Sequence, residues 1–330
     1  MKIWVPRCKI IEPRRELTLV NNRLSGWFKM EAVKRNGQRR LLADWFPNLI
    51  TDQGLDYIGS NSSMLARCAV GTGSTPPDVS DTTLGVQVAV TSTIQSNSTG
   101  NSGAPDYYGY REITYRFSQG AAAGNLSEVG VGLNAGSPMP VFSRALILDG
   151  EGSPTTITVQ EDEYLDVTYQ LRNYPVLTDE EDTVSLNIGG TPTNHDLTIR
   201  AAHAGVTDRW ASGLGSHTGG CSTSTSGTAA STQAFNGSLG AITGQPSGTN
   251  AIVSSASLQS YTSNNHYRDT IYTWGLTAAN LSGGISAFLL KLGAGGGWGA
   301  YQFEIDPVLN KDNTKVLSLT FRHSWERYTP

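Results

Sequence analysis

Charge is scarce in this chain of 330 residues. Asp, Glu, Lys and Arg together make up 16% of it, where a globular domain ordinarily carries about a quarter. The formal net charge of −4 excludes the basic footprint of a nucleic-acid binder. The cluster Lys34, Arg35, Arg39 and Arg40 therefore reads as a solvated face or a subunit contact. Cysteine is scarce as well. Cys8, Cys68 and Cys221 lie far apart with no Cys-x-x-Cys spacing, which excludes a disulfide framework and a structural zinc site. No apolar run approaches the length of a membrane span, and the opening MKIWVPRCKIIEPRRE holds no signal-peptide core. Synthesis in a cytoplasm, without membrane insertion, is expected.

What is abundant is glycine, with 37 residues, set among serine, threonine and short strand-like runs. Asn36-Gly37 divides two such runs in WFKMEAVKRNGQRRLLADWF, the strongest short-range hairpin signal. EYLDVTYQLRNYP alternates strictly and stops at Pro175. Its Leu165, Val167, Tyr169 and Leu171 share one face, and Asp166, Thr168, Gln170 and Arg172 the other. YREITYRF, LSEVGVGL, FSRALIL and both halves of TVSLNIGGTPTNHDLTIRAAH are further strands. LGVQVAVTSTI alternates like a strand, and QSNSTGNSGAPD after it reads as a charge-free loop. Farther on, Tyr301, Phe303 and Ile305 face one way, while Leu317, Leu319, Phe321 and Trp325 line a return strand. Together they predict a hairpin. NLITDQGLDYIG is the one early helix candidate, capped by Thr51 or Asp52, with Leu55 and Ile58 packing on one side and Gly54 keeping it short.

The expected fold is all-β: a mainly antiparallel sandwich or jelly roll with long ordered loops and at most one or two short helices. Residues 1–45 are expected to form an extended arm and hairpin for attachment, and 46–205 a β-rich domain. Residues 206–265 form an uncharged Ser/Thr/Gly-rich insertion, and 266–330 supply strands that complete the β domain. Between 210 and 267 there is no Asp, Glu, Lys or Arg at all, so copies of this stretch can lie side by side without repulsion.

AVGTGSTPP, around Gly71 and Gly73, invites a catalytic reading. A phosphate loop needs a strand before it and a helix after it, so that backbone N–H groups converge on the anion. Two prolines and a polar turn follow here, without the lysine or the third glycine. It reads as a turn. GLGSHTGG lacks the strand-to-helix frame of a nucleophile elbow. His195, His203, His217, His266 and His323 have no ligand spacing. The acidic run 178–182 reads as a solvated loop rather than a calcium site. No catalytic, cofactor or metal residue is assigned, and a non-enzymatic protein without a cofactor is expected. Aromatics are the remaining lead. Tyr107, Tyr108, Tyr110, Trp210, Trp274 and Trp298 sit in or beside Gly/Ser-rich loops, where they would anchor a subunit interface or stack on a sugar face. Trp4, Ile10, Ile11, Arg14 and Arg15 are the expected attachment residues of the N-terminal stretch.

Several stretches carry a family likeness. NLITDQGLDYIG with CAVGTGSTPPDVSDTTL, then YREITYRFSQGAAAGNLSEVGVG, VFSRALILDGEGSPTTITVQEDEYLDVTYQLRNYP and PVLNKDNTKVLSLTFRHSWERY resemble, in that order, virion structural proteins of tailed bacteriophages. The likeness is to the tail-fibre, tail-tip (baseplate) and appendage type. It covers most of residues 27–175 and the last thirty, and it carries over no catalytic residue. It implies a tail component present in many copies, a homotrimer or ring held by β interfaces and bound to other virion tail proteins. A host-glycan-binding adhesion module or a capsid-decorating protein is the alternative. The virion tail is the expected location, with no nucleic acid among the partners and a host surface glycan as a partner on the alternative reading.

Overall fold

The computed structural model describes residues 9–13, 17–60, 63–103, 106–188, 191–227, 231–293 and 296–329. Trp4, Arg14 and Arg15 lie outside the described residues. β1 (Lys9–Pro13) leads to β2 (Leu17–Lys34). The predicted hairpin then forms, β2 turning into β3 (Arg39–Pro47) with Gly37 at φ 87°, a conformation that costs glycine nothing. After β4 (Leu49–Ile50) comes α1 (Asp52–Ser60). Thr51 caps it: its Oγ1 accepts the Gly54 N–H at 2.9 Å, and Leu55 and Ile58 are buried as the sequence predicts.

The chain continues through β5 (Arg67–Gly71), β6 (Gln87–Thr91), β7 (Ile94–Asn101), β8 (Gly109–Phe117), β9 (Gly124–Leu126) and β10 (Glu128–Gly132). β11 (Val141–Leu146), β12 (Ile157–Val159), β13 (Glu163–Tyr174), β14 (Glu180–Ile188) and β15 (Thr191–Ala201) follow. The four-residue helix α2 (Thr207–Trp210), with Asp208 and Arg209, leads into the uncharged stretch, which supplies β16 (Gln233–Phe235), β17 (Asn250–Ile252) and β18 (Ser255–Leu258). β19 (Tyr267–Trp274), β20 (Ile285–Leu292), β21 (Gly299–Leu309) and β22 (Lys315–Arg327) complete the chain.

The fold is all-β, as expected. A large sheet runs β17-β16-β20-β21-β15-β14-β1-β22-β2-β13-β8-β7, with β18 and β19 attached beside β22 and β3 beside β2. A second sheet runs β4-β11-β10-β5-β6, and β12 pairs with β9. Pairing is antiparallel except where β1 and β2 run parallel to β22. The large sheet thus draws strands from all four sequence segments. Lys9–Pro13 is a strand of its own chain's sheet, so the backbones of Ile10 and Ile11 pair internally. Among the described residues no helix is long and apolar enough to cross a membrane.

Two sequence expectations are corrected. The first part of QSNSTGNSGAPD is not a loop: residues 94–101 are β7, paired along β8. The C-terminal hairpin does not form either. β15 and β20 occupy both edges of β21, while β22 pairs with β19, β1 and β2. The predicted faces are nevertheless right, since Tyr301, Phe303, Ile305, Leu317, Leu319, Phe321 and Trp325 are all buried. The two strands meet through their side chains, with the Phe303 and Phe321 rings 5.1 Å apart in the core.

A buried polar junction locks this core. Asn22 on β2 donates its amide to Asn173 Oδ1 on β13 at 2.6 Å and to the Trp298 carbonyl. Both amide hydrogens are spent, so the Asn22 oxygen faces His323 Nε2 on β22 at 3.1 Å, and that nitrogen must carry the proton. Nδ1 accepts from the Thr218 hydroxyl at 2.8 Å. Asn173 donates in turn to the carbonyls of Trp298, at 2.8 Å, and Trp210, at 3.1 Å.

Burial pulls the His323 pKa down to about 3, and burial also lowers His203 and His266. The unfolded chain, with histidines near 6.5, takes up protons that the folded chain refuses. Stability is therefore full above about pH 6.5 and is lost as the pH falls toward 3, by roughly 1 kcal/mol per pH unit for His323. His323→Gln keeps a donor for Asn22 and should flatten the fall in urea midpoint between pH 6.5 and 4.5. An unchanged slope would contradict the assignment of a neutral, proton-refusing His323.

Candidate functional site

One continuous stretch of chain supplies an edge strand to each of the two main sheets. β6 ends the second sheet and β7 ends the large one, with only Ser92 and Thr93 between them. Alternation along this stretch turns every second apolar side chain outward: Val86 is 54% exposed, Val88 48%, Val90 40% and Ile94 45%. From 82 to 105 the sequence contains no Asp, Glu, Lys, Arg or His. Solitary proteins blunt such edges with lysine, proline or a charge pointing inward. β6 and β7 contain none of these.

The position of this edge is set by the glycine loop. Glu128 on β10 is fully buried. Its carboxylate accepts the N–H groups of Gly73 at 2.9 Å, Gly85 at 3.0 Å and Val86 at 2.7 Å. Arg144 on β11 approaches it at 3.1 Å and also holds Asp81 at 2.8 Å and the Thr75 carbonyl at 2.9 Å. A Cβ on Gly73 would stand 2.4 Å from Glu128 Oε1, which explains the glycine. The loop is a turn, as the sequence reads, and its Gly73 joins Gly85 and Val86 in binding the chain's own carboxylate.

The aromatic residues divide. Trp210, Trp274 and Trp298 are buried, so the expectation of loop aromatics available to a sugar or a partner is corrected for all three. Trp210 donates to the Ala202 carbonyl at 3.1 Å and meets Tyr301 edge-on at 5.6 Å, while Trp274 packs 5.4 Å from Phe288. Glycine stands beside Trp210 and Trp298 because the indoles take the space of a side chain. A Cβ on Gly293 or Gly213 would stand 2.4 or 2.7 Å from Trp298, and one on Gly299 3.0 Å from the Trp210 ring.

Tyr107, Tyr108 and Tyr110 are half-buried, and Tyr108 belongs to a row on the outer face of the large sheet. The Arg172 guanidinium lies between the Trp27 ring, at 4.6 Å, and the Tyr108 ring, at 4.9 Å. Tyr108 is 5.2 Å from Tyr174, and Tyr174 stacks on Tyr328 at 4.0 Å. Sequence reasoning missed Trp27, Arg172, Tyr174 and Tyr328. The signal was available for Arg172, which the alternation of β13 places on the outward face.

The acidic run is tied to neighbouring strands: Asp179 pairs with Arg200 at 2.5 Å and Glu181 accepts from Thr198 at 2.9 Å. Burial pushes the thiols of Cys68 and Cys221 up. Among the described residues no group of His, Cys, Asp and Glu is placed to hold a metal ion. No family model, curated protein or solved structure matches the chain.

Neutralising the cradled anion by Glu128→Gln leaves Arg144 short of a buried partner. A loss on the order of 3 kcal/mol in urea unfolding is expected. A loss below about 1 kcal/mol would show that the ion pair contributes no more than an exposed one does.

Proposed function

We propose that this chain is a non-enzymatic structural component of a tailed-phage virion, a tail fibre, appendage or tail-tip protein that assembles with copies of itself through β interfaces. The observation that carries this reading is the uncharged double edge over residues 86–101. An edge without charge of either sign is self-complementary, since a second copy can pair with it without like-charge repulsion. Magnitudes favour many copies over one contact. Removing the remaining exposure of the four apolar side chains contributes about 1 kcal/mol each, while association costs at least about 4 kcal/mol. Backbone pairing and repetition in a closed oligomer must supply the difference. The family likeness of residues 27–175 and of the last thirty agrees with this and adds the tail as the address.

The row Trp27–Arg172–Tyr108 with Tyr174 and Tyr328 favours a second reading, an adhesion module that grips host glycan. An amphipathic aromatic surface of this kind stacks on sugar rings. Binding of a host-surface polysaccharide that Tyr108→Ala abolishes would favour it.

Light scattering after gel filtration, over a tenfold concentration range, should give a trimer or a ring of fixed mass. Val88→Lys with Val90→Lys should lower that mass at unchanged circular dichroism. A wild-type monomer across the range overturns self-assembly. Gold-labelled antibody against the chain should mark the tails of particles, and labelled capsids would transfer the protein to the decorating class.

A further inference from the structure

Arginines on the large sheet can take an acid from the neighbouring strand. Arg116 on β8 stands opposite Asp166 on β13, and Arg322 on β22 opposite Asp269 on β19. Each forms two bonds, at 2.7 to 2.9 Å. Arg172 on β13 departs from this pattern. It stands opposite Ser25 on β2 and Tyr110 on β8, so neither neighbour supplies a carboxylate. Glu112, two residues beyond Tyr110, takes the Gln170 amide at 2.9 Å instead. Gln170 in turn accepts Arg172 Nε at 2.6 Å. Among the described residues no protein group takes the two Nη nitrogens, and neither is fully buried. The guanidinium is held all the same. The Trp27 ring lies 4.6 Å and the Tyr108 ring 4.9 Å from it, contacts that contribute about 0.5–2 kcal/mol each. A fork fixed in this way loses little freedom when it binds.

We propose that Arg172 binds the carboxylate of an acidic sugar, a uronic or sialic acid unit of a host-surface polysaccharide. The inference rests on the adhesion reading above and names its substrate class. A guanidinium with Nε spent and both Nη groups free matches the two oxygens of a carboxylate. The surroundings add a donor that a sugar hydroxyl can use and an acidic side chain cannot. Trp27 Nε1 donates to the Ser25 hydroxyl at 3.3 Å, and that hydroxyl donates to Tyr174 Oη at 3.3 Å. Tyr174 therefore keeps its own hydrogen for an oxygen outside the protein. Its ring is fixed by Tyr328, stacked at 4.0 Å, and by Tyr108 at 5.2 Å. Arg172 and Tyr174 share one face of β13 with backbones about 7 Å apart, so one sugar can place its carboxylate on the fork and a hydroxyl on the phenol. Trp27, Tyr108, Arg172, Tyr174 and Tyr328 are all half-buried. Their faces are engaged by one another, and the ligand meets their rims and hydroxyls. The net charge of −4 gives the chain no general attraction to polyanions, so retention of one reports on a local site.

The test is binding of the full chain to immobilised oligomers of galacturonate, glucuronate and sialate, each beside its methyl ester. At least one acid should be retained, and its ester should bind about tenfold or more weakly. Arg172→Lys keeps the charge but loses the fork, and should weaken binding by about as much at unchanged circular dichroism. Equal retention of acid and ester, no retention of any acid, or full binding by Arg172→Lys would overturn the proposal. Retention of polyglutamate as tight as that of the sugar acids would overturn it as well, and would give the fork to an acidic peptide. In any of these cases a neutral host polysaccharide that is retained, and released by Tyr108→Ala, keeps the adhesion reading without the acid. No retention of any polysaccharide removes both.

Discussion

A buried polar group must find its partner inside the protein, and here Asn22, Asn173, His323 and Thr218 find one another. Leaving any one unpaired would cost about 1–3 kcal/mol. A one-residue slip of β2 against either neighbour would strand several at once, because a slip turns every side chain to the opposite face. Asn22 reads β13 through Asn173 and β22 through His323, so the junction fixes both registers together. It also helps to fix glycine-rich chain. The carbonyls of Trp210 and Trp298 and the hydroxyl of Thr218 tie glycine-rich loops to the strands. The Thr218 N–H in turn reaches the Ile58 carbonyl at the end of α1.

Faces were legible in the sequence and pairings were not. The alternation of 163–174 gave the inward set Leu165, Val167, Tyr169 and Leu171, all buried, because periodicity is a local property. Which strand lies beside which depends on edges that other strands compete for. β21 and β22 are therefore separated although only a short turn connects them. β7 was invisible for a different reason. Six of its eight residues are exposed, so it has no buried set to imprint a period of two, and its backbone ladder with β8 alone makes it a strand.

The candidate site was half legible. The valine alternation of 86–90 pointed to a strand, but nothing local says that its outer edge stays unpaired. The glycine loop was legible as a turn, yet the carboxylate that its Gly73 binds sits on Glu128, 55 residues beyond. No spacing rule links the two. Trp210 and Trp298 misled because glycine beside tryptophan suggests an exposed loop, whereas the glycines are there so that the chain can close over an indole.

The scarcity of charge is not uniform over the sheet, and its distribution bears on assembly. On central strands, charges are present and matched across neighbours. Arg116 on β8 holds Asp166 on β13 through two bonds of 2.7 Å. Arg322 on β22 likewise holds Asp269 on β19 at 2.8 and 2.9 Å while lying 3.6 Å from the Tyr267 ring. The edge strands β6 and β7 have no charge at all. A protein that stays alone in solution does the opposite, since its edges are where repulsion protects it. The edge strand β3 is the exception, with Arg39, Arg40 and Asp44 along it. Charges on an edge deter the pairing with a second copy that an uncharged edge permits. A contact of like with like therefore suits β6 and β7 and not β3.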